Sequence, residues 1–152
     1  MISTKISPFD EVPLREWYQI LQARIAVFIV EQNCPYQECD GKDPDSFHLR
    51  IYQGDELVAY CRILPPGISY SGYASIGRVL TTETGRNKGY GKQLMQEAVQ
   101  FSDAHFAASI KISAQAYLEK FYTELGFETV SAPYLEDDIP HVAMVRKFQT
   151  TV

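Results

Sequence analysis

A short glycine-rich turn between a strand pattern and a helix pattern constrains this chain more than any other feature. The segment Arg86-Asn87-Lys88-Gly89-Tyr90-Gly91-Lys92 follows a strand expected over 73–80, with Ala74, Ile76 and Val79 toward a core. It leads into a helix expected over 88–106, whose apolar stripe is Leu94, Met95, Ala98 and Phe101. Glycines let backbone N–H groups close on a ligand, and a helix start carries partial positive charge, so such a turn suits an anion. Arg86, Lys88 and Lys92 add a local positive field to a chain of net charge -5. The same residues also fit an ordinary glycine turn with solvated lysines. A Walker loop is excluded, because no Gly-Lys-Ser/Thr closes the turn. A dinucleotide fingerprint fits poorly, because the turn lies mid-chain and lacks the Gly-x-Gly-x-x-Gly spacing.

The turn sits in a continuous pattern with no repeat or linker, so one domain over 1–152 is expected, long enough to bury a real core. With 45% hydrophobic and 22% charged residues, the composition is that of a soluble globular protein. The acidic balance argues against a nucleic-acid partner. No apolar run approaches the roughly 20 residues of a membrane span, and the first residues lack the apolar core of a signal peptide. Cys34, Cys39 and Cys61 are an odd set without zinc-ligand spacing. They read as reduced, partly buried thiols in a cytoplasmic protein that needs no metal.

Pro13 can open a helix at its first turn, where its missing N–H costs nothing. Trp17, Ile20, Leu21, Ile25 and Phe28 then recur at helical spacing until Asn33-Cys34-Pro35 stops it. A polar loop over 35–46 carries Glu38, Asp40, Asp43 and Asp45, with Glu31 just upstream. Strands over 49–52 and 57–64 flank Gly54-Asp55, which suits a tight hairpin turn. After the long helix, residues 110–114 alternate as a strand. Leu118, Phe121, Tyr122 and Leu125 then mark a short helix closed by Gly126. Strands over 128–131 and 142–148 complete a mixed α/β domain.

The short helix lies in Gln115-Ala116-Tyr117-Leu118-Glu119-Lys120-Phe121-Tyr122-Thr123-Glu124-Leu125-Gly126-Phe127. Alone, it is amphipathic and Tyr122 reads as a core aromatic. Paired with the upstream glycine turn, it resembles the GNAT acetyltransferase superfamily: Gln/Arg-x-x-Gly-x-Gly/Ala resembles the pyrophosphate loop, and Phe-Tyr-x-x-Leu-Gly-Phe the late motif. Three further stretches resemble the ElaA-like branch. They are the run from Arg24 through Glu31-Gln32-Asn33-Cys34-Pro35 to Glu38, Ile76-Gly77-Arg78-Val79, and Ile139-Pro140-His141-Val142-Ala143-Met144. Nearly the whole chain is covered.

The resemblance implies a GNAT fold, a central mixed, splayed β-sheet flanked by helices, with acyl-coenzyme A wedged between two strands. It implies that Arg86, Asn87, Lys88, Gly89, Tyr90, Gly91 and Lys92 hold the diphosphate. Val79, Leu80 and Thr81 pair through their backbone with the pantetheine arm, Gln115 faces the cofactor, and Tyr122 protonates the departing thiolate. Ser75 stands where many members carry a glutamate base, and Asp138 where a glycine is usual. The expected activity is an N-acetyltransferase in which acetyl-coenzyme A is co-substrate and the amine of a small molecule or peptide attacks directly. Whether the chain is a homodimer is left open. Non-catalytic acyl-coenzyme A sensing and O- or N-terminal acetyl transfer are the alternatives. Only about one lysine-like amine in 10³ is unprotonated at pH 7, so a base would help. Candidates are Glu38, Asp40, His48, Glu136, Asp137 and His141. Arg24 could bind a substrate carboxylate, but pairing with a loop acid fits it better.

Overall fold

The structure is a computed structural model that describes residues 1–149. Chain order runs β1 (Ile2–Pro8), α1 (Leu14–Arg24), β2 (Phe47–Gln53), β3 (Glu56–Leu64), β4 (Ser75–Thr81), α2 (Tyr90–Phe106) and β5 (Ile110–Gln115). It closes with α3 (Glu119–Thr123), β6 (Glu128–Thr129), β7 (Tyr134–Glu136) and β8 (Ile139–Arg146). Strands β1-β2-β3-β4 form one antiparallel sheet. Strands β5, β8 and β6 form a second, with β7 also on β8. The two sheets meet through one parallel bridge, Ala74 to Ile110. That bridge makes the arrangement mixed, as expected for the fold class, and it also makes the sheet splay.

One large core lies between the sheets and the pair α2 and α3. Leu94, Met95 and Ala98 of α2 pack with Ile112, Ala114, Val142 and Met144 from the second sheet. A smaller cluster of Ile20, Tyr52, Leu57, Tyr60 and Leu80 seats α1 on the other face of the first sheet. At about 25 cal/mol per Å², each such fully buried aliphatic side chain contributes about 1.5–3 kcal/mol.

The expected elements appear with several corrections. The first helix is not continuous: after Arg24 the chain runs as a π-helical segment, Ile25–Glu31, and Cys34 N–H donates to the Ile29 carbonyl. The wider turn changes which side chains face inward. Helix α2 starts at Tyr90 rather than 88, because Asn87 (φ +62) and Gly89 (φ +80) are left-handed. Strand β1 and the three-residue β7 are additional, and the last strand begins and ends earlier than its apolar run suggests. Among the described residues, no helix is long and apolar enough to cross a membrane.

Candidate active site

Strand β4 is kinked where it matters. Gly77 pairs with Arg62 and Leu80 with Tyr60, so Arg78 and Val79 together oppose Cys61. Two residues against one is a β-bulge. Arg78 there takes φ +51, a left-handed conformation that costs a residue with a side chain about 1–2 kcal/mol. A clamp holds it in place. Arg78 Nε donates to Glu38 Oε2 at 2.6 Å, Nη2 donates to the Glu38 carbonyl at 2.9 Å, and the guanidinium lies over Tyr36.

Beyond the bridge at Ala74, β4 and β5 diverge. Among the described residues, no strand pairs with either of their facing edges. A cleft of about 540 Å³ opens there, walled by β4, β5, α3, the π-helical segment and the β7–β8 turn. Unpaired strand edges suit an extended ligand that can take up their N–H and C=O groups. Val79, Leu80, Thr81, Arg86, Gly91 and Gln115 line this cleft, as does Tyr122. Asn87, Lys88, Gly89 and Lys92 do not; they are exposed and lie next in sequence to Arg86 and Gly91, which do. Tyr90 also lies outside the lining, its side chain packed against the large core. The backbone N–H groups of residues 86–92 have no backbone acceptor among the described residues. Such a row of free N–H groups at a helix start is suited to an anion. Arg86 bonds Glu31 at 2.6 Å, and both residues line the cleft.

Tyr122 is held by edge-to-face contacts with Phe121 and Phe127. Its hydroxyl makes no hydrogen bond with any described residue, although the side chain is only 6% exposed. Burial pushes this phenol above its ordinary value, so it is protonated at neutral pH. On the second sheet, Ser113, Gln115 and His141 line the cleft with Glu136 and Asp137 of the β7–β8 turn.

Three candidate bases lie elsewhere. His48 is fully buried, with Tyr60 O–H and the Asp43 carbonyl on its two ring nitrogens, at 2.6 and 3.0 Å. Glu38 is shared by Arg24 and Arg78, and Asp40 is held by Arg62. Arg24 itself bonds Glu38 and Asp43 and is fully buried, so it binds loop acids and no substrate carboxylate. Glu136, Asp137 and His141 remain at the cleft. Sequence reasoning did not single out Tyr36, Arg78 as a bulge residue, Ser113 or Tyr134. Each lacks a local pattern, and only pairing register and loop path bring them together.

Comparison with known proteins agrees with this geometry. The family model for the acetyltransferase (GNAT) domain matches residues 18–148. Protein ElaA of Escherichia coli (strain K12) is 41% identical over 141 residues, which is 91% of this chain and 92% of that one. A crystal structure of Escherichia coli ElaA superposes with a TM-score of 0.90 at 39% identity, covering 97% of this chain and 100% of the other. An acyl-CoA N-acyltransferase from Pseudomonas aeruginosa also scores 0.90, at 40% identity over 96% and 99%. The chain belongs to the GNAT acyltransferase family, in its ElaA-like branch.

Proposed function

We propose that this protein is a single-domain N-acetyltransferase that moves an acetyl group from acetyl-coenzyme A to the primary amine of a small molecule or peptide. The carrying observation is the pair of unpaired strand edges facing each other across the β4–β5 cleft. A pantetheine arm is an extended chain with two amides, and it satisfies a strand edge as a peptide does. Val79, Leu80 and Thr81 bind it from β4, and Gln115 faces it from β5. The diphosphate lies on the N–H groups of 86–92, with Arg86, Lys88 and Lys92 supplying positive charge. Asn87, Gly89, Tyr90 and Gly91 contribute backbone only.

The reaction needs no metal. The free amine attacks the thioester carbon, a C–N bond forms, and the C–S bond breaks as the intermediate collapses. In this reading, backbone N–H groups beside the bulge stabilise the developing oxyanion. Tyr122 passes its proton to the thiolate, and a proton shed by the nitrogen restores the phenol through water. The free thiols Cys34, Cys39 and Cys61 fit a cytoplasmic enzyme.

Tyr122→Phe tests this reading, since it keeps the ring and removes only the donor. General acid catalysis is worth about 10²–10⁴ in rate. Thiol release across a panel of primary amines should fall at least tenfold. Melting temperature and acetyl-coenzyme A affinity should hold, because the hydroxyl has no hydrogen bond to lose. Turnover near wild type would remove Tyr122 from proton transfer. Tight cofactor binding with no turnover on any amine would instead mark a sensing module.

A further inference from the structure

We propose that His141 is the proton acceptor that frees the attacking amine, and that Glu136 stabilises it; this rests on the acetyltransferase reading above. The argument begins with strand register. On β5 and β8, Gln115 pairs with His141, Ala114 with Val142, Ser113 with Ala143 and Ile112 with Met144. Successive side chains alternate faces. Ile112, Ala114, Val142 and Met144 join α2 and Tyr122 in the large core. Ser113, Gln115 and His141 therefore occupy the opposite face. Because the sheet splays, Tyr122 and His141 reach the same cleft from its two sides. A thioester threaded between the strands then meets a proton donor on the helix side and a proton acceptor on the other. Addition and collapse can then use separate groups: the acceptor takes a proton from the amine as it adds, and the donor gives one to the thiolate as it leaves.

The Nδ1 contact of His141 favours one tautomer of its neutral ring. Its Nδ1 lies 2.6 Å from the Ile139 carbonyl oxygen, which can only accept, so the neutral ring carries its proton on Nδ1. Nε2 is left with a lone pair and receives no hydrogen bond from any described residue. The residue is only 6% exposed. Glu136 Oε2 stands 3.5 Å from Nε2, so an imidazolium formed there meets a carboxylate. Glu136 is held in turn: Ser113 Oγ lies 3.0 Å from its Oε1 and 2.5 Å from the Tyr134 hydroxyl. A base oriented by one hydrogen bond and backed by a fixed acid is the arrangement that makes histidine effective in proton transfer.

The step balances. Nε2 takes one proton from the substrate ammonium, and the freed lone pair forms the C–N bond. That proton leaves His141 for solvent past half-exposed Glu136, while the second nitrogen proton restores Tyr122. The products are the amide, the thiol and one proton released.

Two amines of similar size separate a base from a structural residue. Propylamine is an ammonium ion at neutral pH, and 2,2,2-trifluoroethylamine is already a free base. With the full chain and acetyl-coenzyme A, His141→Gln should cut thiol release from propylamine by about 10²-fold or more and leave trifluoroethylamine nearly unchanged. Glu136→Gln, at a half-exposed site, should show a smaller loss with the same selectivity for propylamine. Equal losses on both amines, or none on either, would overturn the proposal. If His141→Gln does not fold, Glu136→Gln decides alone: a propylamine rate equal to wild type refutes it. Calorimetry of acetyl-coenzyme A on each protein keeps the two levels apart. Wild type that binds the cofactor yet releases no thiol with either amine overturns the acetyltransferase reading and this inference with it.

Discussion

Arg24 shows how this protein accommodates charge in its interior. Desolvation opposes its charge, yet Asp43 and Glu38 raise its pKa above the ordinary value. Burial would likewise raise Asp40 and Asp43, but Arg62 and Arg24 hold both below the usual carboxylate range. Their stabilisation is present at neutral pH and fades as pH drops below about 4. His48 behaves in the opposite sense. Burial lowers it from 6.5 to about 4. The Asp43 carbonyl accepts from its Nε2–H, and Tyr60 donates to Nδ1, which fixes a neutral ring. The unfolded chain takes a proton below pH 6.5 and the folded chain only near 4, so stability falls through that window. One pKa unit is worth about 1.36 kcal/mol, which makes the total roughly 3 kcal/mol. Urea unfolding between pH 7 and pH 4.5 should reveal this slope, and His48→Gln should flatten it. An unchanged slope in that variant would place the effect on other groups.

At the scale of elements, the turn into α2 is the informative one. Gly89 takes φ +80, and a Cβ there meets nothing within 4 Å. Substitution therefore strains the backbone by about 1–2 kcal/mol without a clash. Gly89→Asp and Gly89→Asn impose nearly the same shape and strain and differ in charge. Both should fold, and calorimetry should find acetyl-coenzyme A affinity far lower for the Asp variant than for the Asn variant. Equal affinities would mean that no phosphate sits at this turn. The β7–β8 turn follows a similar rule: Asp137 (φ +50) and Asp138 (φ +62) are both left-handed, the geometry of a type I′ hairpin. Glycine would suit position 138 better, which explains why an aspartate there stands out in the sequence.

For the whole molecule, the decisive feature is that two sheets share one bridge and then separate. A cofactor filling the cleft would tie β4 to β5 and so should stabilise the fold strongly. Ligand at 100 times its Kd adds about 2.7 kcal/mol. For a chain of this size that amounts to roughly 5–10 °C in Tm. Differential scanning fluorimetry with saturating acetyl-coenzyme A should show that shift. Its absence at millimolar cofactor would remove the cofactor from the cleft.

Local pattern in the chain already carries most of the periodic elements and their order. Helix α2, strands β2, β3 and β5, and the Gly54 hairpin follow from local pattern, because burying one face imposes period 3.6 or 2 on the residues themselves. The glycine turn ahead of α2 and the placement of Tyr122 on the short helix α3 were legible too, since each rests on a short stretch of contiguous chain. Strand β1 was not, because its residues 2–5 are all exposed and carry no core-facing stripe. The π-helical segment was not either, because Ile25-Ala26-Val27-Phe28-Ile29-Val30 is apolar on every side and shows no preferred period. Tertiary structure alone decided which loop acids are buried. Glu38 and Asp43 look like solvated charges until Arg24, Arg62 and Arg78 converge on them from a helix and two strands. The same holds for the cleft. His141 and Tyr122 sit on separate elements, and only the register of β5 with β8 and the splay from β4 bring them to one site.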